Sequence, residues 1–167
     1  MRKMTEDNLK AAFAGESQAH MRYLIFAKQA EAEGFANVAR LFRAISHAEQ
    51  VHAANHFDVL GMIRGIADNL QMAIDGETYE VNEMYPAFNV VAQLQEEKGA
   101  MKTINFTLQA EKIHASMYQK AKQAVEISKD IHLGSVYICD VCGYTVEGEA
   151  PNRCPICGAS KEKFRTF

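Results

Sequence analysis

The sequence repeats one arrangement of glutamate and histidine residues twice. A lone glutamate is followed by Glu-x-x-His, 33 residues later in the first half of the chain and 31 residues later in the second. The residues concerned are Glu16, Glu49, His52, Glu80, Glu111 and His114. In an α-helix, positions i and i+3 lie on one face, so each Glu-x-x-His pairs a carboxylate with an imidazole. Four helices of this kind can close around two metal ions.

These polar residues interrupt apolar stripes. In the second predicted helix, Val38, Phe42 and Ile45 precede Glu49 and His52 at helical spacing. A buried carboxylate without a partner is strongly destabilising, and no lysine or arginine lies on the stripes of the first two helices. A bound cation is therefore the expected compensating charge.

The apolar pattern predicts four helices, two in each half of the chain. They span about 5–33, 36–60, 77–97 and 100–128, with Thr5 as the first N-cap. Between Gly61 and Gly76 the pattern breaks, which indicates a crossover connection of roughly fifteen residues. Pro86 is expected to distort the turn of the third helix that carries Glu83. This organisation favours a one-crossover, ferritin-like four-helix bundle.

The charge balance of the chain is nearly even. It has 18 basic and 21 acidic residues, for a formal net charge of −3, so no strong field attracts nucleic acid or a membrane surface. The N-terminus lacks an apolar run of signal-peptide length, and no apolar stretch is long enough to span a bilayer. We therefore predict a cytoplasmic protein that binds neither nucleic acid nor membrane.

All four cysteines lie in the last 29 residues, as two Cys-x-x-Cys pairs. They are Cys139, Cys142, Cys154 and Cys157. A short strand is predicted at 136–138. A segment this small cannot be stable without a metal, so we predict a four-sulfur metal domain over 135–167 after a helical bundle over 1–134. Iron and zinc both fit the motif, and a redox-capable metal pair in the same chain favours a one-electron iron centre over a zinc ribbon.

The donor types in the bundle indicate which metals bind there. Four carboxylates and two neutral imidazoles balance the formal charge of two divalent ions, and this oxygen-rich set suits iron or manganese better than zinc. The alternative, a two-histidine zinc site at His52 and His56, leaves the glutamates unexplained. Glu83, one turn after Glu80, offers a fifth carboxylate. We hypothesise that Glu83 binds one iron in the oxidised state and that His52 replaces it in the reduced state.

Five parts of the sequence carry motifs that occur together in one order. They are Ala14–Ser17, Ala48–His52, Glu80–Pro86, Ala110–His114 and the two cysteine pairs. Over nearly its whole length the chain thereby resembles the rubrerythrin family. The resemblance implies a non-haem di-iron peroxidase joined to a rubredoxin-like domain. It further implies that hydrogen peroxide is reduced to water by electrons that come from reduced pyridine nucleotide through a reductase or a separate rubredoxin.

The resemblance also implies roles for individual residues. The implied iron ligands are Glu16, Glu49, Glu80, Glu83, Glu111 and His114, with His52 as the exchanging ligand. Tyr23 is implied to lie near the di-iron site, and the four cysteines to hold a single iron. A head-to-tail homodimer that brings the cysteine-bound iron close to the partner's di-iron site is implied as well, since the tail of one chain can lie far from its own bundle. Exchange of helix hairpins between subunits is compatible with the long predicted crossover.

Two other functions fit part of the pattern. One is an oxygen-consuming ferroxidase, and the other is an iron-storage bundle with a structural zinc tail. Glu83 and the cysteine tail argue against storage, since a storage shell needs neither an exchanging ligand nor a one-electron relay.

Overall fold

The structure, a computed structural model, describes all 167 residues as helices followed by a small sheet. The helices are α1 Lys3–Ala32, α2 Ala36–Val59, α3 Ile66–Tyr79, α4 Tyr85–Leu94 and α5 Lys98–Glu126. The strands are β1 Val136–Cys139, β2 Thr145–Glu147 and β3 Phe164–Thr166. None of the helices combines the length and the apolar character that crossing a bilayer requires.

The chain divides into two compact units, Met1–Arg64 and Gly65–Phe167. The first unit contains α1 and α2, and the second contains the remaining helices and the sheet. The division at residue 134 that the sequence suggested stays a prediction.

In the first unit, α1 and α2 form a helical hairpin. Gly34 adopts a φ of +84° in the three-residue connection, a conformation that side chains other than glycine rarely adopt. Small residues such as Ala27, Ala30 and Ala39 are buried where the helices meet, which permits close approach of the two backbones. The predicted N-cap at Thr5 is wrong, because α1 begins two residues earlier and Thr5 lies within its first turn.

The connection between α2 and α3 is much shorter than the predicted crossover. It covers only the six residues from Leu60 to Gly65, since α3 begins at Ile66 rather than near Glu77. Asp68 lies in the first turn of α3, where a negative charge is favourable at the positive end of the helix dipole. The Asp-Asn pair that suggested a loop is therefore compatible with a helix start, and Gly76 lies inside the helix.

Between α3 and α4, residues Glu80–Met84 form a π-helical turn. Pro86 follows in the first turn of α4 and lacks the amide hydrogen that would bond to the carbonyl of Asn82. The predicted irregular backbone at this point is confirmed. Widened turns of this kind are frequent at functional sites.

The tail folds as a three-stranded antiparallel sheet in the order β2-β1-β3. The predicted strand at 136–138 is confirmed as part of β1. Two similar turns follow, in which the amide of Gly143 donates to Cys139 O and the amide of Gly158 donates to Cys154 O, both at 2.9 Å. Tyr144 and Phe164 pack edge to face at 6.2 Å beside these turns.

Candidate metal centres

The first unit brings three predicted ligands together. Ligand atoms of Glu16, Glu49 and His52 all lie within 4.8 Å of one another. His52 Nδ1 is 3.1 Å from Glu49 Oε2 and 4.0 Å from Glu16 Oε2. We call this set the first cluster. His56, which the zinc alternative required, lies outside it.

The two carboxyl groups of the first cluster affect each other's ionisation. Their mutual hydrogen bond raises the pKa of Glu16 and lowers the pKa of Glu49. Of the two, Glu16 is therefore the carboxyl group that holds a proton more readily, because two adjacent carboxylates repel each other when both are ionised. A cation bound between them would remove that repulsion.

A buried polar contact joins α1 and α2 one turn away from the first cluster. Ser46 is fully buried, and its hydroxyl donates to His20 O at 2.9 Å while lying 3.0 Å from His20 Nδ1. Ser46 precedes Glu49 by three residues, and His20 follows Glu16 by four. The contact fixes the register of the two helices at the height of the carboxylates.

The second unit contains a matching set, the second cluster, made of Glu77, Glu111 and His114. Their ligand atoms also lie within 4.8 Å of one another, and His114 Nδ1 is 2.6 Å from Glu111 Oε2. All three residues are half-buried. The sequence predicted Glu111 and His114 but not Glu77.

Glu77 carries the clearest electrostatic perturbation in the second cluster. Burial, followed by the hydrogen bond to Glu111 and the negative charges of Glu111 and Glu80, raises the pKa of Glu77 to about 8. A carboxyl group in this position holds its proton at neutral pH only while no cation is present. The i, i+3 series of Glu77, Glu80 and Glu83 could have revealed this residue, but Gly76 appeared to end the helix.

The π-helical turn carries the other two predicted carboxylates, Glu80 and Glu83. Neither belongs to the second cluster, and Glu83 is exposed. Burial and the charge of Glu111 raise the pKa of Glu80, which places Glu80 near the cluster. The ligand roles of both residues stay predictions.

Two tyrosines differ in their relation to the clusters. Tyr23, which the resemblance placed near the site, packs at 6.0 Å from Phe42 in an aromatic group of the first unit. Its role stays a prediction. Burial and the charges of Glu80 and Glu111 raise the pKa of Tyr85, which directly follows the π-helical turn that carries Glu80. Sequence reasoning missed Tyr85, although it stands next to Pro86.

The cysteine domain contacts α5 of its own chain beside the second cluster. His114 Nε2 lies 2.8 Å from the hydroxyl of Thr145 in β2. Ala110 lies on α5 one turn before His114, and a Cβ built on Gly143 would lie 3.8 Å from the Cβ of Ala110. The cysteine domain therefore lies against α5 of its own chain, and the head-to-tail dimer stays a prediction. No local sequence pattern indicates the contact, because it joins residues 31 positions apart.

The four cysteines lie together as the spacing predicted. Their sulfur atoms are within 4.8 Å of one another, with 3.7 Å between Cys139 and Cys157 and 3.4 Å between Cys142 and Cys154. A tetrahedral site with bonds of about 2.3 Å has sulfur–sulfur edges of about 3.8 Å. The sulfur positions therefore fit a single tetrahedral ion.

The thiols differ in how easily they ionise. Burial raises the pKa of Cys142 and of Cys157 above the ordinary value. At Cys154 burial opposes ionisation, but the amides of Cys157 and Ile156 and hydrogen bonds from neighbouring thiols together lower the pKa. Amides directed at sulfur stabilise a thiolate, and a bound cation favours deprotonation of the whole set.

The donor chemistry of all three sites fits the expected metals. Each helical cluster offers two carboxylates and one imidazole, an oxygen-rich donor set that suits iron. Neighbouring carboxylates contribute to the raised pKa of Glu16 and, after burial, to that of Glu77, and a bound cation would relieve this repulsion. The four-sulfur site suits iron or zinc.

Two family models match the chain. The model "Rubrerythrin" matches residues 7–122, and "Rubrerythrin, rubredoxin-like domain" matches residues 137–165. The chain therefore carries the residues of a rubrerythrin di-iron site and the four-cysteine site for iron.

Curated relatives and solved structures agree with the family models. Rubrerythrin-2 of Clostridium acetobutylicum is 47% identical over 178 residues, covering 98% of this chain and 97% of the relative. Nigerythrin of Nitratidesulfovibrio vulgaris is 33% identical, covering 98% and 86%. The structure of the fully reduced, all-ferrous state of nigerythrin matches with a TM-score of 0.57 and 32% identity, covering 98% of this chain and 86% of that one. The predicted fold class, a ferritin-like helical protein with a rubredoxin-like C-terminal domain, is confirmed.

Proposed function

The chain belongs to the rubrerythrin family, and from that premise we propose that it is a non-haem di-iron peroxidase that reduces hydrogen peroxide to water. Rubrerythrins are di-iron oxidoreductases with peroxidase-like chemistry that use rubredoxin-type electron donors. The observation that carries the proposal is the pairing of two Glu, Glu, His clusters with a four-cysteine site in one chain.

The chemistry needs two electrons and two protons for each peroxide, which yields two waters. Two ferrous ions supply one electron each when bound. Glu16, Glu49, Glu111 and His114 would hold them, and Glu77 would join as a carboxylate once a cation displaces its proton. The proposal needs both clusters, because three ligands from one unit leave most coordination positions of a metal pair unfilled.

We retain the exchange of His52 and Glu83 as part of this proposal. His52 has a side chain that is 53% exposed, and its contacts within the first unit are to carboxylates. Glu83 lies on the π-helical turn, where the backbone is already irregular. Structures of the oxidised and reduced proteins with identical ligands would contradict this exchange.

The four-cysteine iron would return electrons one at a time. We propose a separate rubredoxin or an NAD(P)H-dependent reductase as the donor to this iron. Cys142 and Cys157 are partly exposed, so a partner protein can approach their sulfurs closely. This arrangement supports a role as electron entry point.

We propose a homodimer in which helix hairpins are exchanged between subunits. A six-residue connection reaches at most about 20 Å. A helix of the length of α2 extends about 36 Å, and a one-crossover bundle needs a connection that returns along such a length. The short connection therefore favours a di-iron centre completed by the first unit of one chain and the second unit of another.

A complementation experiment tests the exchange. E49A and E111A chains are unfolded together and refolded with iron. With exchange, each mixed dimer contains one intact site, so random pairing restores about one quarter of wild-type peroxidase activity. A mixture of E16A and E49A is the control, since both changes lie in the same unit and no intact site forms. Without exchange, the E49A and E111A mixture stays as inactive as the control.

Anaerobic stopped-flow mixing tests the peroxidase activity itself. The fully reduced protein is mixed with hydrogen peroxide or with oxygen, and formation of the ferric absorption is followed. A much faster reaction with peroxide is the expected result. A much faster reaction with oxygen would instead identify a ferroxidase, and zinc at the four cysteines would favour a storage protein.

A further inference from the structure

We infer that Thr145 is a positioning residue for His114, which it holds in the imidazole tautomer that leaves Nδ1 free to bind metal. The inference rests on the proposed role of the second cluster in binding iron. It concerns a residue of the cysteine domain that acts on the helical metal site of the same chain.

The direction of the hydrogen bonds follows from the single proton of the threonine hydroxyl. Thr145 Oγ1 donates this proton to Gly143 O at 3.0 Å. The same oxygen lies 2.8 Å from His114 Nε2 and can therefore only accept there. With the hydroxyl hydrogen directed at Gly143 O, His114 Nε2 carries the ring hydrogen, and in the neutral ring Nδ1 is then the nitrogen with a free lone pair.

That free nitrogen is the one that points into the second cluster. His114 Nδ1 lies 2.6 Å from Glu111 Oε2, a separation at which two lone pairs repel each other unless a positive charge lies between them, so both atoms converge on the position that a cation would take. Metal-binding histidines commonly donate their other N–H to an oxygen acceptor, which fixes both the tautomer and the ring orientation. Thr145 supplies this acceptor from outside the helical part of the unit.

The position of Thr145 is itself well fixed. Thr145 is only 5% exposed and pairs with Ile138 in the antiparallel ladder. The adjacent turn lies against α5, because a Cβ on Gly143 would meet Ala110 at 3.8 Å. The hydroxyl is thus held by the sheet on one side and by the helix contact on the other.

A neighbouring cavity predicts what happens when the hydroxyl is removed. It has a volume of about 300 Å³ and is lined by His114, Met117, Tyr118, Ile138 and Thr145. In Thr145→Val, water in this cavity can accept from Nε2–H in place of the lost oxygen. A mobile water orients the ring less well than a fixed hydroxyl, so the fold survives while the tautomer preference weakens.

The test uses the full chain loaded with zinc, which is diamagnetic, and nitrogen-15 NMR of the histidine rings. Wild type and Thr145→Ser are expected to show a protonated Nε2 at His114 with slow hydrogen exchange. Thr145→Val is expected to exchange this hydrogen at least about tenfold faster and to bind Fe²⁺ about 10–100-fold more weakly at the helical site, the range found for outer-shell partners of metal ligands. Thr103→Val makes the same chemical change on the exposed side of α5 and should match the wild type.

Two results would overturn the inference. One is an NMR spectrum of the wild-type protein in which Nδ1 of His114 is protonated or Nε2 of His114 binds the metal. This measurement does not depend on whether any variant folds. The other is a Thr145→Val protein with the exchange rate and Fe²⁺ affinity of the wild type. Absence of peroxidase activity would refute the proposed function but would leave the ring tautomer measurable, so the two failures are distinguishable.

Discussion

The two Glu, Glu, His clusters contain the same residue types, but different residues in each are held in place by buried contacts. In the first cluster, the buried Ser46 contact lies one turn from the carboxylates, while the side chain of His52 is 53% exposed. In the second cluster, His114 is 28% exposed and is held by both Glu111 and Thr145. The two histidine side chains therefore differ in how much they can move.

This difference indicates that the two imidazoles have different roles as metal ligands. A histidine whose Nε2 is held by a buried hydroxyl is suited to remain a ligand through Nδ1 throughout the reaction, whereas an exposed histidine beside carboxylates can leave and return. The proposed exchange of His52 with Glu83 places the mobile ligand in the first cluster. The fixed ligand lies next to the cysteine domain.

Removing a carboxylate from either cluster should have the largest effect. Glu49→Ala and Glu111→Ala are each expected to lose at least one iron per chain and to lower peroxidase kcat/KM by more than about 100-fold, since even outer-shell changes cost about 10–100-fold. Gln50→Ala and Gln119→Ala, on the same helices, are the controls. Iron analysis and steady-state assays measure both quantities. Normal iron content in Glu111→Ala would show that the second cluster is not a metal site.

Replacing the two histidines should separate their roles. We expect His114→Ala to weaken Fe²⁺ binding by more than about 100-fold and His52→Ala by about tenfold or less, because only His114 has an anchored ring. Anaerobic titration with Fe²⁺ measures both affinities. Equal losses in the two variants would break the distinction between a fixed and a mobile imidazole.

Ser46→Ala tests how the first cluster is anchored. The change removes the hydroxyl contacts with His20 O and His20 Nδ1 but keeps the contact of Nδ1 with Ser46 O at 2.9 Å, so the free energy of unfolding should fall by about 0.5–1.5 kcal/mol. Urea unfolding of the metal-free protein measures this loss, with Ser17→Ala as the control because its hydroxyl bonds only within α1. An unchanged stability would mean that the contact does not hold the helices in register.

Glu77 should give a smaller, pH-dependent effect. Its folded-state pKa of about 8 lies above the ordinary 4.5, so between these values the folded chain binds more protons than the unfolded chain. Stability of the metal-free protein should therefore fall as pH rises from 5 to 8, by about 1–2 kcal/mol after allowance for solvent screening of a part-exposed group. Glu77→Gln should remove this slope, and Thr78→Ser should keep it. Equal slopes in Glu77→Gln and wild type would contradict the assignment.

Local spacing explains what the sequence could predict. Glu-x-x-His and Cys-x-x-Cys place ligands on one helix turn or one loop, so Glu111 with His114 and the cysteine pairs were identifiable from the chain alone. The distortion near Pro86 was identifiable for the same reason, because a missing amide acts within four residues.

Local sequence patterns do not determine the features that were not predicted, which are a helix boundary and a contact between distant segments. Gly76 suggested a helix boundary, yet flanking apolar residues continue the helix through it. Because of this wrong boundary, Glu77 was not recognised as a candidate ligand. The crossover was overestimated for the same reason. The contact of Thr145 with His114 joins distant segments and has no periodic signature.

The central claim is that two helical clusters bind a pair of irons and the cysteines bind a third. Metal content and the visible spectrum of anaerobically purified protein test it directly. The account predicts three irons per chain with the charge-transfer absorption of an oxidised iron–thiolate site, and loss of helical-site iron but not of this absorption in Glu49→Ala. One iron per chain, or zinc at the cysteines without that absorption, would contradict it.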